Sequence, residues 1–184
     1  MRPLLTGRFG HVYRYERLCP STQRLLRPDD PEGAVAVAEE QSEGRGRLGR
    51  RWHAPAGTSV LVSVLLRPDV DTPRLPELSL VAGGAVAQAI AEVTGLEPAI
   101  RFPNDVLLGG KKVAGILAES SDGRVVLGIG VNANQTEDQL PADAQTAPTS
   151  LRLELGEPVD RAALLAAILR RVEDAYDRWV RGAA

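Results

Sequence analysis

The sequence predicts an α+β fold in which a central mixed, largely antiparallel β-sheet is flanked by helices. Between residues 98 and 132, several short strand patterns follow one another through tight turns, as they do in hairpins. Two longer segments, 76–95 and 160–180, carry apolar residues at helical spacing. With 184 residues, the chain is expected to form a single domain over residues 1–184 that can bury a substantial core.

The N-terminal part predicts three strands and one short helix. An opening strand is expected over residues 8–17, and Ser21 is expected to cap a short helix that runs through Leu26. A second strand is expected over 34–41. The third, over 58–66, is apolar at nearly every position and rich in β-branched residues, which places it centrally in the sheet.

The C-terminal part predicts two long helices separated by hairpin strands. A Gly-Gly pair inside the first helix lowers its intrinsic stability. The two glycines either allow the helix to approach the sheet closely or are defects that the helix tolerates. Asp160 is expected to cap the last helix, which is amphipathic. The predicted elements are, in order, a helix over 76–95, strands near 98–102, 105–108, 112–119 and 125–132, a loop over 133–148, and the final helix.

Composition excludes several classes of function. A net charge of −2 argues against general nucleic-acid binding, and no apolar run is long enough to span a membrane, so a cytoplasmic protein is expected. Cys19 is the only cysteine, which excludes an internal disulfide and indicates a buried structural thiol. His11 and His53 lack metal-site spacing, so no dedicated metal cage is expected; His53 is interpreted as a loop residue near a ligand.

Residues 44–52 (GRGRLGRRW) form the most informative segment, called here the arginine loop. Its glycines free the backbone to wrap around a ligand, and its four arginines match carboxylate or phosphate oxygens. The spacing satisfies G-x-G-x-x-G, but Pro55 and Gly57 interrupt the helix that this dinucleotide fingerprint requires. An anionic small molecule is the expected ligand, although a solvated basic loop, or one touching nucleic acid, also fits the segment taken alone.

A second polar segment spans residues 101–116. Asn104 and Asp105 follow a proline and can turn the chain while exposing polar groups. Lys111 and Lys112 lie beyond a Gly-Gly turn, and only one of two adjacent strand residues can point toward a ligand. We expect Lys112 to be the inward one. Taken alone, the segment also fits a hairpin with two surface lysines.

Four motifs in this order resemble the catalytic domain of biotin protein ligases. They are the arginine loop, the Phe-Pro-Asn-Asp-Val turn, the Lys-Val-Ala-Gly-Ile-Leu strand and the Gly-Ile-Gly-Val-Asn strand, and the resemblance covers about residues 10–180. It implies a fold of the class II aminoacyl-tRNA synthetase and biotin ligase type. It also implies an enzyme that uses ATP and Mg²⁺ to convert biotin to biotinyl-5′-adenylate. Such enzymes then transfer biotin to a lysine of the biotin carboxyl carrier protein of acetyl-CoA carboxylase or a related carboxylase.

The resemblance also implies roles for particular residues. Arg45, Arg47 and Lys112 are implied to be catalytic, and Mg²⁺ is implied to be held mainly by phosphate oxygens. Biotin contacts are implied for Ser21, Thr22, Gln41, Gly44, Arg45 and Gly115. Nucleotide contacts are implied for Arg47, Trp52, Asn104, Asp105, Lys112 and Asn132.

The implied chemistry agrees with the residue types. A carboxylate has to approach a negatively charged α-phosphate, so cations must offset the repulsion. Because biotin's own carboxylate is the nucleophile, the enzyme needs neither a reactive cysteine nor a Ser-His-Asp arrangement. A loop closed over the adenylate would also exclude the water that would otherwise hydrolyse it.

The chain departs from the family pattern at three positions, Arg101 for lysine, Phe102 for tryptophan and Gln23 for asparagine. Only about twenty residues precede Ser21, so we expect no N-terminal DNA-binding domain, and we expect the small C-terminal β-barrel of the family to be absent. Two alternatives follow. One is a catalytically impaired module that binds biotin or biotinyl-adenylate, and the other is a lipoate or octanoate transferase. The resemblance also allows a homodimer.

Overall fold

The computed structural model describes residues 6–142 and 144–182 of the chain. Its strands are β1 (Tyr13–Cys19), β2 (Val35–Gln41), β3 (Ser59–Leu66), β4 (Ala99–Arg101), β5 (Asp105–Leu108), β6 (Lys111–Ser121) and β7 (Arg124–Asn132). Its α-helices are α1 (Glu77–Thr94), α2 (Leu151–Leu155) and α3 (Arg161–Val180).

The strands form one seven-stranded sheet in the order β1-β2-β3-β7-β6-β5-β4. β1 pairs with β2 in parallel, and every other pairing among the described strands is antiparallel. The predicted mixed, largely antiparallel sheet is therefore confirmed. β3 lies between β2 and β7, as its apolar sequence predicts, and all eight of its residues are buried.

Two details near the N-terminus differ from the prediction. The first strand begins at Tyr13 rather than at residue 8, because Gly10 has a positive φ of 91° and turns the chain before it. The preceding Phe9 is buried instead against Tyr176 of α3, with ring centroids 6.1 Å apart. The predicted short helix is a 3-10 turn over Thr22–Leu25, and Ser21 makes no capping hydrogen bond with its side chain.

Helices α1 and α3 cover one face of the sheet and build the main core. Their apolar faces pack on side chains such as Val62, Leu127 and Ile129, all of which are buried. In α1, a β-carbon added at Gly83 or Gly84 would meet only ordinary van der Waals contacts, at 3.8 and 3.6 Å. The glycine pair is therefore tolerated rather than required by a close approach.

The opposite face of the sheet carries small side chains where β3, β6 and β7 lie together. On this face Gly115 of β6 is opposite Gly130 of β7, while Gly128 lies between Leu117 and Ser63. Because strand residues alternate between faces, these positions point away from α1 and α3. The small side chains leave a shallow depression in which a ligand can lie.

The region after β7 is more ordered than a plain loop. A 3-10 turn at Glu137–Gln139 and the short helix α2 interrupt it, and the Ser150 hydroxyl accepts the Leu153 amide at the start of α2. Asp160 caps α3 as predicted, because its carboxylate accepts the amides of Ala162 and Ala163. Among the described residues, no helix is both long and apolar enough to cross a bilayer.

Replacement of Asp160 by alanine tests the capping of α3. The Asp160→Ala variant loses two side-chain hydrogen bonds to orphan amides, and its unfolding free energy should fall by about 1 kcal/mol in urea denaturation. Asp174→Ala, at an exposed position within α3, is the matched control and should change stability by less than about 0.5 kcal/mol. Equal stability of the two variants would contradict the capping role.

Candidate functional site

A cavity of about 500 Å³ opens on the uncovered face of the sheet. Its floor is formed by β3, β6 and β7, including Ser63, Gly115, Gly128 and Gly130. The arginine loop covers one side, and the segment 144–148 borders another. Strands, the arginine loop and the segment 144–148 therefore meet around one concave space.

Trp52 lies directly on the glycine floor. A β-carbon added at Gly130 would be 2.6 Å from Cε2 of the indole, and one at Gly115 would be 2.9 Å from Cζ3. Only glycine leaves enough room for this stacking on the strand backbones. The indole N–H is buried against this floor and has no hydrogen-bond partner among the described residues.

A buried polar cluster closes one end of the cavity. The Gln41 side-chain oxygen accepts the Thr22 amide at 2.7 Å, and the Thr22 and Ser63 hydroxyls are 2.8 Å apart. Ser21 is also buried here, with 2% of its surface exposed. Next to this cluster, Gln23 covers Gly128 and donates to the Leu117 carbonyl at 3.3 Å, while its own oxygen is buried without a partner among the described residues. The cluster therefore offers hydroxyl and amide groups to a polar part of a ligand.

Lys112 supplies a cation at the other end of the cavity. Its ammonium lies 2.6 Å from one Asp105 oxygen and 5.6 Å from the centroid of the Trp52 ring. Arg101 binds the other Asp105 oxygen from outside. Burial alone would raise the pKa of Asp105, but the hydrogen bonds from Lys112 and Arg101 outweigh it and hold that pKa below the usual range. Lys111 points away toward Glu154, 3.7 Å distant, so the predicted orientation of the two lysines is confirmed.

The arginine loop is held in place by three of its side chains. Arg45 makes a two-point ion pair with Glu119, at 2.9 and 2.8 Å. Arg47 donates to the Asn104 side chain at 3.3 Å, and Arg50 donates to Gln145 at 2.9 Å.

A 3-10 turn at Arg47–Gly49 forms the tip of the arginine loop, and no helix follows Gly49. The structure thus agrees with the interpretation that this segment is not a dinucleotide fingerprint. Its glycines instead allow the chain to bend over the cavity.

The cavity brings together most of the residues that the sequence predicts. The predicted residues on its walls are Ser21, Thr22, Gln41, Arg45, Arg47, Trp52, Asn104, Asp105, Lys112, Gly115 and Asn132. Gly44 does not line it: this residue is buried beneath the loop, where an added β-carbon would be 2.2 Å from the Trp52 carbonyl oxygen. The predicted loop residue His53 does border the cavity.

Several wall residues are not among those predicted. Gly128 and Gly130 form the floor, and glycine at alternate positions of a strand was a local signal for a close approach on one face. Gln145 and Thr146 belong to a segment that the sequence predicts only as a loop. The Asn132 amide draws this region toward the sheet by donating to the Thr149 carbonyl at 3.0 Å.

No group of three or more His, Cys, Asp or Glu side chains within residues 6–142 and 144–182 is placed to hold a metal ion. The cavity wall contributes the carboxylate of Asp105, and both of its oxygens already contact cations. Cys19 is buried outside the cavity, and burial raises the pKa of its thiol to about 11. The cations of the cavity are therefore suited to binding an anionic group of a ligand whose uncharged polar part lies at the polar cluster. The buried Cys19 is not suited to thiol chemistry.

Comparisons of the chain with a family model and with individual proteins indicate the same family. Residues 15–135 match the model of the biotin/lipoate A/B protein ligase family. The bifunctional ligase/repressor BirA of Bacillus subtilis is 39% identical over 182 residues, which is 94% of this chain and 56% of that protein. The biotin–[acetyl-CoA-carboxylase] ligase of Mycobacterium tuberculosis is 41% identical over 155 residues, 82% of this chain and 56% of that protein. The chain thus spans a little over half the length of these relatives.

A solved structure extends the likeness to three dimensions. The biotin protein ligase of Aquifex aeolicus, in complex with biotin and ATP, superposes with a TM-score of 0.84 at 32% identity. The match covers 93% of this chain and 72% of that chain.

The contact of Trp52 with the floor can be tested by adding one methyl group. Gly130→Ala places a β-carbon within 2.6–2.9 Å of the indole, so Trp52 must move and its fluorescence should shift toward that of an exposed tryptophan. Gly128→Ala is the matched control on the same face of β7, because its methyl group meets the flexible Gln23 side chain at 2.8 Å instead. An unchanged Gly130→Ala spectrum would contradict the stacking.

Proposed function

Because the chain belongs to the biotin/lipoate A/B protein ligase family, we propose that it activates biotin with ATP and transfers biotin to a lysine of a carrier protein. The observation that carries this proposal is the position of the Lys112 and Arg47 cations at one end of a cavity whose other end is the Thr22–Gln41–Ser63 polar cluster. A molecule with a polar head and an anionic tail fits such a space. The relatives named as biotin ligases, and the similar structure with biotin and ATP, support the same function.

Biotin is proposed to bind with its ureido ring at the polar cluster. Thr22, Gln41 and the buried Ser21 are the side chains for that ring, and its apolar part lies on the glycine floor beside Gly115. Gly44 is proposed to act through the backbone, since its carbonyl accepts the Trp52 amide at 2.9 Å and shapes the loop behind Arg45. The Trp52 indole, which lies on the floor at Gly115 and Gly130 in this structure, is proposed to move off the floor and cover the ligand when biotin binds.

In the first step, an oxygen of the biotin carboxylate forms a bond to the α-phosphorus of ATP, and the bond to the pyrophosphate oxygen breaks. Two unit negative charges about 4 Å apart repel each other by about 4 kcal/mol at an effective dielectric constant near 20. Lys112 and Arg47 are proposed to offset this repulsion, with Arg45 assisting from the same loop. Asp105 holds the Lys112 ammonium in position through their 2.6 Å contact.

The nucleotide is proposed to lie at the turn that carries Asn104 and Asp105, with Asn132 and Trp52 beside it. Both Asp105 oxygens are engaged by cations, so the donor set fits a Mg²⁺ ion carried by the phosphates rather than one held by the protein. When bound, Mg²⁺ supplies positive charge to the phosphate oxygens.

In the second step, a neutral lysine amine of the carrier forms a bond to the acyl carbon, and AMP leaves with the electrons of the broken C–O bond. The amine proton passes to solvent. No residue of the chain has to become covalently attached, which agrees with the high pKa and burial of Cys19. The proposed acceptor is a biotin carboxyl carrier protein.

Incubation of the pure protein with ATP, Mg²⁺, biotin and a carrier domain tests the proposed function. A gain of one biotinyl group on the carrier, measured by mass spectrometry, supports the ligase. Biotinyl-adenylate that stays bound without transfer would indicate an impaired binding module. Transfer of lipoyl or octanoyl groups alone would indicate the related transferase.

Substitution of the two proposed catalytic cations should impair activation. Arg47→Ala and Lys112→Ala should each slow biotin-dependent pyrophosphate release about a hundredfold, because a pre-positioned cation near the developing charge is lost. Lys111→Ala is the matched control, since that neighbour points away to Glu154 and should keep normal rates. Near-normal turnover of either cavity variant, with the fold intact by circular dichroism, would contradict the assigned roles.

A further inference from the structure

A second concavity, of about 600 Å³, lies on the outer side of the arginine loop and is called here the outer concavity. It is bounded by Arg24, the loop itself and Glu119. Arg45, Arg47 and Leu117 are among the residues that border both this concavity and the cavity of the proposed active site. A molecule seated on the outer side would therefore lie next to the adenylate.

The outer concavity is positively charged, although the chain as a whole carries a net charge of −2. Five arginines and two glutamates line it, which gives it a local charge of +3. Arg24 pairs with Glu43 at 2.7 Å and Arg45 pairs with Glu119, which accounts for both glutamates. Arg51 contacts only the Ser42 carbonyl among the described residues, at 3.3 Å, so its charge is not neutralised there.

Leu48 lies within this basic surface and is unusual in its exposure and in its backbone conformation. Its surface is 89% exposed, more than any other large apolar residue described. Its backbone lies in the left-handed region, with φ 58° and ψ 37°, which is unfavourable for a residue with a β-carbon. An apolar side chain held outward at such a cost is suited to a contact with another molecule.

We propose that the outer concavity is the docking surface for the acceptor protein, an inference that rests on the proposed function. The partner is a folded domain that presents carboxylates set back from its target lysine and a small apolar depression for Leu48. The charge of +3 argues for such carboxylates, because a lysine without acidic neighbours would be repelled from the mouth of the cavity.

The same charge has a chemical consequence for the incoming lysine. Nearby guanidinium groups disfavour the protonated form of an amine, so they increase the fraction of neutral amine that can attack the acyl carbon. Carboxylates farther back on the partner provide the attraction. The outer concavity thus combines selection of the acceptor with its activation.

Two variants test this surface without altering the residues assigned to biotin and nucleotide. Leu48→Asp removes the apolar side chain and adds a negative charge at a backbone conformation that aspartate tolerates. Arg24→Glu reverses a charge that lines the outer concavity but not the cavity. Leu80→Asp and Arg178→Glu are the matched controls, at exposed positions of α1 and α3 on the other side of the sheet.

Each variant is assayed twice, for biotin-dependent pyrophosphate release without carrier and for transfer to a biotin carboxyl carrier domain at about 50 mM and about 300 mM salt. Leu48→Asp and Arg24→Glu should raise KM for the carrier about tenfold, and Arg24→Glu should weaken its salt dependence. Carrier-free activation and both control variants should stay at wild-type rates.

Several outcomes would overturn the proposal. Unchanged KM values for the carrier in both variants would place the docking surface elsewhere. Equal losses in carrier-free activation would show that the loop serves only the small substrates. A change of molecular mass in light scattering, with unchanged transfer, would assign the surface to a second copy of this chain. Failure of the proposed function is distinct, because the wild-type protein would then release no pyrophosphate with biotin.

Discussion

In the proposed reaction, repulsion between a carboxylate and a phosphate is the constraint on which the organisation of this site depends. Both groups are anions and must come within bonding distance, so cations have to be held around them before they arrive. Lys112 is held by Asp105 and lies against the Trp52 ring, while Arg47 is held by Asn104. Both cations are therefore held at the cavity by side chains of the protein before any ligand binds.

The fold leaves one face of the sheet uncovered, and this face provides the space in which the cations and the ligand meet. Helices α1 and α3 supply the apolar core on the other face, so the open face can carry glycine and serine without loss of the core. Its floor then lets an indole lie against the backbone at Gly130. Stability and binding are therefore provided by opposite faces of the same strands, and the arginine loop joins the binding cavity to the outer surface.

The sequence alone predicts those features of the fold and the site that depend on a short stretch of neighbouring residues. Alternation along a strand separates Lys112 from Lys111, and the proline and glycine after the arginine loop exclude a helix there; the structure agrees on both. The pairing of Gly128 in β7 with Ser63 in β3 depends on register between strands that are distant in the sequence, which local pattern does not define. The approach of segment 144–148 likewise depends on long-range hydrogen bonds, from the Lys112 amide to the Ala147 carbonyl and from the Asn132 side chain to the Thr149 carbonyl.

A crystal structure of the protein with a non-hydrolysable analogue of biotinyl-adenylate would show directly whether the two cations contact the acyl–phosphate linkage. We expect the Lys112 ammonium and the Arg47 guanidinium to lie within hydrogen-bond distance of the oxygens around the acyl–phosphate linkage, with the bicyclic ring at Thr22 and Gln41. An analogue bound in the cavity while Lys112 and Arg47 point into solvent would contradict the account.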